Sequence, residues 1–359
     1  MDRLVARATT GMLLLALGAP AAAQERPEVT VEVTGRGQFQ FSTSSVADEV
    51  VGEAVVASQF EERRIRVGVN VAVGEWVTAK LEPDFAGGRV RLADAFVALD
   101  LDPAARLRIG KVKRPFSLME LTSSTRILPV ERGARIRGLS DLIQTQGPAG
   151  ATMPGEHYAI LDGLGYTGRD IGAALSGRLA GVGYEVGVYN GTGTDAGDVN
   201  DAKTVAGRLT WRPSATLPLT FGGAAVALDR VIAGETGHAT AFEVDVEYGG
   251  FSTPGLHLMA EAAFGDGAVD ASMRGAQAIA AWFLPLESPR MEGLELVGRA
   301  SWGDPSDAIE GDEGLLLTPG VNLYVLGLTR LMLGWDVYLP SGEGMDTAHA
   351  LRAQANVYF

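Results

Sequence analysis

Between Lys111 and Arg137 the chain gathers seven basic residues, Lys111, Lys113, Arg114, Arg126, Arg132, Arg135 and Arg137, against two acids, Glu120 and Glu131. The whole chain has a formal net charge of -14 at pH 7, so this stretch is the exception. Its sequence, VKRPFSLMELTSSTRILPVERGARIRGL at 112–139, shows neither helical nor strand periodicity. Fixed cations held in a narrow passage with low-dielectric walls raise the local anion concentration and lower the entry barrier. The bland alternative is a solvated external loop whose charges do nothing.

Other patterns promise chemistry that their surroundings withdraw. GLGYTG at 163–168 matches a dinucleotide-binding fingerprint through Gly163, Gly165 and Gly168, with Glu185 some way on. The following RDIGAALSGRLAG, with Gly172, Gly177 and Gly181, is a poor helix, and no βαβ units surround it. NGTGTDAGDVND at 190–201 has the acidic and Gly content of a calcium loop but lacks ordered ligand spacing and a closing Glu. His157, His238, His257 and His349 form no close pair, and neither GxSxG nor HExxH occurs. His257 and Glu261, four apart, share one face of a strand and read as pore-lining polar residues. No catalytic group, cofactor or metal is expected.

Residues 1–23 have the form of a cleaved export signal: Arg3 and Arg7, the apolar run GMLLLALGAP, and the small residues Ala21, Ala22 and Ala23. The expected organisation is a leader at 1–23 and one domain at 24–359. Losing the leader makes the remainder one unit more negative, and such an acidic balance argues against nucleic acid as a partner. There is no cysteine, so disulfides do not hold this exported chain. No later apolar run is long enough for a membrane helix.

The elements that must position the basic segment announce themselves by alternation. In 28–41, Val29, Val31, Val33, Phe39 and Phe41 oppose Glu32, Thr34, Arg36, Gln38 and Gln40. Successive side chains of a strand point to opposite faces, so one face is oily and one wet. Sixteen such segments are expected: 28–41, 61–73, 76–85, 89–100, 105–113, 169–179, 182–190, 203–212, 217–229, 240–250, 255–264, 273–284, 293–302, 320–328, 330–339 and 349–359. Most have the 9–11 residues of a tilted membrane strand.

Links after even segments are short, at 74–75, 102–105, 180–181, 213–216 and 251–255. Those after odd segments are mostly long, at 42–60, 114–168, 191–202, 230–239, 303–319 and 340–348, with 86–88 an exception. Tight turns alternating with long loops mark an even-stranded transmembrane barrel. The sequence does not show which face is inward; a secreted sandwich would bury the oily one. A sixteen-stranded closure leaves an aqueous channel. The expected fold is therefore an all-β, 16-stranded antiparallel transmembrane β-barrel with long external loops. The longest link, 114–168, is expected to fold into the bore and narrow it.

RLADAFVALD, ARLRIGKVKRPFSLMELTSSTRILPVERG, GRDIGAALSG, YEVGVYNGTG and the terminal LRAQANVYF together resemble the phosphate-selective porin O and P family of Gram-negative outer membranes. The resemblance implies a sixteen-stranded barrel, a homotrimer, a third loop entering the pore and passive diffusion. It also implies that Phe359 is part of the signal read by the barrel-assembly machinery. Expected partners are that machinery, outer-membrane lipid and lipopolysaccharide, and small solutes or inorganic anions. Arg36, Arg64, Arg66, Arg208 and Arg299 fall on the polar faces, but so do Glu32, Lys80, Glu82, Asp84, Glu243, Asp245, Glu247, Glu261 and Glu295. That mixture favours a general porin with mild anion preference over a dedicated phosphate ladder. The alternatives are a specific uptake channel for a sugar or organic acid, a barrel-type enzyme, or a structural outer-membrane protein.

Overall fold

A computed structural model describes residues 27–46, 55–134, 155–191, 202–232, 235–267 and 271–359. The expected leader, Arg135, Arg137 and most of 190–201 lie outside the described residues. Sixteen strands form: β1 (Val29–Val46), β2 (Val55–Val73), β3 (Val77–Asp84), β4 (Arg91–Asp102), β5 (Ala105–Lys113), β6 (Arg169–Leu179), β7 (Val182–Tyr189) and β8 (Thr204–Trp211). They continue with β9 (Leu219–Ile232), β10 (Glu235–Tyr248), β11 (Gly255–Asp266), β12 (Ser272–Pro285), β13 (Gly293–Asp304), β14 (Gly314–Leu326), β15 (Thr329–Pro340) and β16 (Ala348–Tyr358). Each pairs with its neighbours in chain order, and β1 pairs with β16, so the sheet closes into a barrel.

The alternation decides which face goes where. Along β12 buried and exposed residues alternate almost without a break. The exposed rows are apolar, including Phe242, Val244, Trp282, Leu331, Leu333 and Trp335, while the buried rows carry Glu243, Asp245, Glu295, Arg299 and Arg352. Water-soluble sandwiches bury the oily face; this barrel turns it outward, as lipid requires. Aromatic pairs such as Trp211–Phe221 and Phe242–Phe264, with centroids 5.8 and 5.5 Å apart, strengthen the outer surface.

Every expected segment corresponds to one strand, but several loops are shorter than their polarity suggested. β1 and β2 run on to Val46 and from Val55, and β14 begins at Gly314. The expected long link at 230–239 is a correction: β9 and β10 pair through Val231↔Thr236 and Ile232↔Glu235, leaving two residues between them. A strand that continues past the hydrocarbon layer has water on its outer side, so its hydropathy pattern fades while its hydrogen-bond ladder does not. The exceptional link after β3 is a single 3-10 turn, Ala86–Gly88.

The β5–β6 connection is the longest. Gly110 in β5 has φ +132°, and a Cβ there would lie 2.2 Å from the Ala95 carbonyl oxygen, so only glycine fits. Beyond Lys113 come α1 (Leu118–Leu121), capped by the Ser117 hydroxyl, and α2 (His157–Gly163), capped by the Glu156 carboxylate. Phe116, Ile160, Leu161 and Tyr166 of this connection pack with the inward, mostly small residues Ala206, Ala224, Ala241 and Ala263. Gly303 of β13 admits α2: a Cβ there would stand 2.3 Å from Ile160 Cδ1. Small inward side chains on β8–β13 thus make the room that the connection occupies.

Candidate functional site: the bore and its charged lining

Inward residues of β1–β6 form an alternating charge chain. Arg36 pairs with Glu82 at 2.7 Å, and Arg66 with Asp84 at 2.6 Å and Glu82 at 3.3 Å. Lys80 bridges Glu82 and Asp94 at 3.3 and 3.1 Å, and Arg169 closes on Asp94 at 2.7 Å. Arg36, Arg66, Lys80, Asp94 and Arg169 border a cavity of about 340 Å³. Its basic lining is Arg36, Arg66, Lys80, Arg108, Lys113, Arg132 and Arg169; its carboxylates are Asp94 and Glu185. Ser123, Ser124 and Leu121 of the β5–β6 connection complete it. Toward the short turns the space opens into cavities of about 1150 and 1000 Å³, and Leu121 borders all three.

The opposite wall is occupied differently. There the inward guanidiniums hold the connection's backbone. Arg299 Nη1 donates to the carbonyls of Glu131 and Arg132 at 2.9 and 2.7 Å, and its Nη2 reaches Asp336 at 3.0 Å. Asn322 donates to the Leu128 carbonyl at 2.9 Å. Glu243 accepts from the Leu118 amide at 3.1 Å, and Glu261 from the Met119 amide and the Ser117 hydroxyl. Glu261 also faces His157 Nε2 at 3.2 Å, whereas His257, on the same inward face of β11, pairs with Glu247.

The basic residues singled out in sequence therefore part company. Lys113 and Arg132 line the 340 Å³ passage, and Arg126 lines the 1150 Å³ cavity. Lys113 donates to the Glu120 and Thr122 carbonyls, and Arg132 to those of Met119 and Thr122. Arg114 is a correction: it is buried and donates to the Gly165 and Thr167 carbonyls, so its charge ties the connection's two ends instead of facing solute. Lys111 is buried within β5, in register with Ala95 and Ile171, and borders none of these three cavities.

Of the expected lumen bases, Arg36 and Arg66 line the passage, and Arg208 pairs with Glu243 and Asp245 beside the 1000 Å³ cavity. Arg64 and Arg299 also point inward but are buried, Arg64 between Gln38 and Glu131 and Arg299 against the connection's backbone. Arg108, Arg169 and Glu185 were not singled out as lining residues. Arg108 was legible, because it alternates with outward Leu107 and Ile109. GLGYTG is the connection's return path; Tyr166 there donates to the Asp266 carbonyl at 2.6 Å.

Two loop carboxylates are held ionised. Burial pushes the Glu131 carboxyl up, but Arg63 and Arg64 outweigh it and bring it down to about 2. Glu120 is likewise pressed upward by burial and held below its ordinary range by Arg132 and Lys113. Each is a negative clasp that keeps cations in place.

A closed sixteen-stranded sheet with an oily exterior and a charged, cavity-bearing interior defines a transmembrane channel barrel. Residues 31–250 match the family described as phosphate-selective porin O and P, and the chain belongs to it. It is an outer-membrane porin, a channel for the diffusion of small solutes. No curated protein sequence matches it. Among solved structures, an anion-selective porin from Comamonas acidovorans is similar at TM-score 0.64 and 12% identity, over 92% of this chain and 100% of that one. The outer membrane channel DcaP of Acinetobacter baumannii gives 0.60 and 13%, over 92% and 97%. The trimer form of OmpT from Vibrio cholerae gives 0.53 and 12%, over 92% and 99%.

Proposed function

We propose that this porin favours small anions mildly over cations, and that the β5–β6 connection sets the preference by narrowing the bore against β1–β7. The carrying observation is the passage where seven basic side chains meet two carboxylates. Inside a low-dielectric wall that excess concentrates anions. All seven bases are paired, and Glu82, Asp84 and Glu120 stand behind them, so the residual field is modest and suits anions generally better than phosphate alone. The words phosphate-selective in the family description and anion-selective in a neighbour's title support the sign. The porin fold supports an outer-membrane homotrimer, as in the trimeric neighbour, and residues 1–23 an export signal removed on the way there.

Planar-bilayer reversal potentials in a salt gradient test the reading. The parent channel is expected on the anion side of zero, and Arg36→Ala with Arg132→Ala to bring it toward zero. An unchanged potential in the double variant rejects the passage as the selectivity element. Phosphate added as a blocker decides phosphate specificity separately.

A further inference from the structure

We propose that the short-turn end of the bore holds a binding site for carboxylates with an apolar body, visited during passage; it rests on the porin reading above. The site is the 1150 Å³ cavity, bordered by Gly181, Arg212 and Gly249 at three short turns. Three guanidiniums line it: Arg126 from the β5–β6 connection, Arg178 from β6 and Arg212 from the turn after β8. Upstream, in the 340 Å³ passage, each of the seven bases already has a carboxylate partner. Here, among the described residues, no carboxylate pairs with any of the three. Arg178 donates to the Gly181 carbonyl at 3.3 Å and Arg212 to the Thr220 hydroxyl at 3.2 Å. Most of their N–H groups, and the whole Arg126 fork, are left for a ligand. The acid on the lining is Glu247, which faces His257 Nε2 at 3.0 Å.

The same cavity has an oily floor of Leu121, Phe251 and Met259. The Phe251 ring is fixed, edge-on to Tyr324 at 5.8 Å and under the Arg330 guanidinium at 5.1 Å. Inorganic phosphate would satisfy the cationic rim and leave this floor against water. A neutral sugar would meet unpaired guanidiniums with no charge to offer them. An aromatic or cyclic carboxylate matches both halves: the fork takes the carboxylate bidentately, and the ring covers the floor.

The purified channel in planar bilayers is titrated with benzoate, acetate and benzyl alcohol. Benzoate is expected to lower the single-channel current with half-block in roughly the millimolar range, weak enough for transit. Acetate, charge without body, and benzyl alcohol, body without charge, are expected to leave it unchanged at the same concentrations. Arg126→Ala and Arg212→Ala should each raise the half-block concentration roughly tenfold, the loss of one charge-assisted contact. Equal block by acetate, or parental block in the double variant, overturns the site. Calorimetric titration of the detergent-solubilised channel with benzoate reads binding independently of current; absence of saturable heat also overturns it. The reversal potential of the same channels separates the two readings, because a value of zero removes the anion preference of the passage without touching benzoate block.

Discussion

Arg330 donates from Nη2 to the main-chain carbonyl oxygen of Ile127 at 2.6 Å, fixing backbone 203 positions earlier in the chain. Its side chain is fully buried, and Nη1 continues through the Tyr324 hydroxyl, 3.1 Å away, which donates to Glu295 at 2.9 Å. Arg330→Met keeps most of the volume and removes every donor, leaving a buried carbonyl unsatisfied at about 2 kcal/mol. Asn322 and Arg299 hold the neighbouring carbonyls, so the connection should loosen locally without leaving the wall. The expected result is a folded barrel with larger, noisier open-channel currents. Traces indistinguishable from the parent would show that this contact does not restrain the connection.

Acid should loosen the same segment through Glu131. A detached glutamate titrates near about 4.3, whereas Arg63 and Arg64 hold the bound carboxyl at about 2 against the upward push of burial. A carboxyl depressed in the folded state contributes stability in full above its free value and loses it as pH falls through the bound one. Open-channel noise is therefore expected to rise as pH drops from about 4 to 2. Glu131→Gln should be noisy already at neutral pH and insensitive over that window. A parent channel as quiet at the acid end as at neutrality would rule the clasp out.

How far the sequence could be read follows from which residues obey a lattice. Val29, Val31 and Val33 alternate with Glu32 and Thr34 because lipid and water face opposite sides of one strand, so strand number and closure were legible. The β9–β10 hairpin was not, since above the membrane both its faces are wet. Within the basic segment no period relates one side chain to the next. Its net charge was visible, but what separates Arg114 at two carbonyls, Arg132 on the passage and Arg126 in the wider cavity is where the folded connection places each. The wall residues that hold the connection's backbone, such as Glu261 and Arg299, lie more than a hundred positions from the residues they hold.

Arg114 and Arg132 thus make a test of position against charge. Arg114→Met removes the tie to the Gly165 and Thr167 carbonyls, and the cost falls on folding of the connection, about 2 kcal/mol for buried acceptors left alone. Arg132→Met removes a cation from the passage lining. Reversal potential should move for Arg132→Met alone, while resistance of the folded barrel to heat in detergent should fall more for Arg114→Met. Equal shifts in potential from both would mean that the segment's total charge, and not its placement, sets selectivity.

Phe359 and Gly35 meet at the seam where β1 closes on β16. Gly35 donates to the Phe359 carbonyl at 2.8 Å and Phe359 donates back at 3.2 Å. The exposed ring lies directly over Gly35, where a Cβ would come within 2.0 Å of Cζ. Two effects are to be told apart here: a hydrogen-bonded pair that finishes the barrel, and the part in assembly that the family resemblance implies for Phe359. Gly35→Val pushes the ring aside but keeps the terminal residue, whereas deletion of Phe359 removes both. Folded barrel is measured by its heat-dependent gel mobility, once after expression in cells and once after refolding into detergent micelles. Deletion is expected to cut assembly in cells several-fold with little effect on refolding, and Gly35→Val to lower both modestly. Equal losses in the two settings on deletion would assign Phe359 to the seam alone, because micelles contain nothing that reads a terminus.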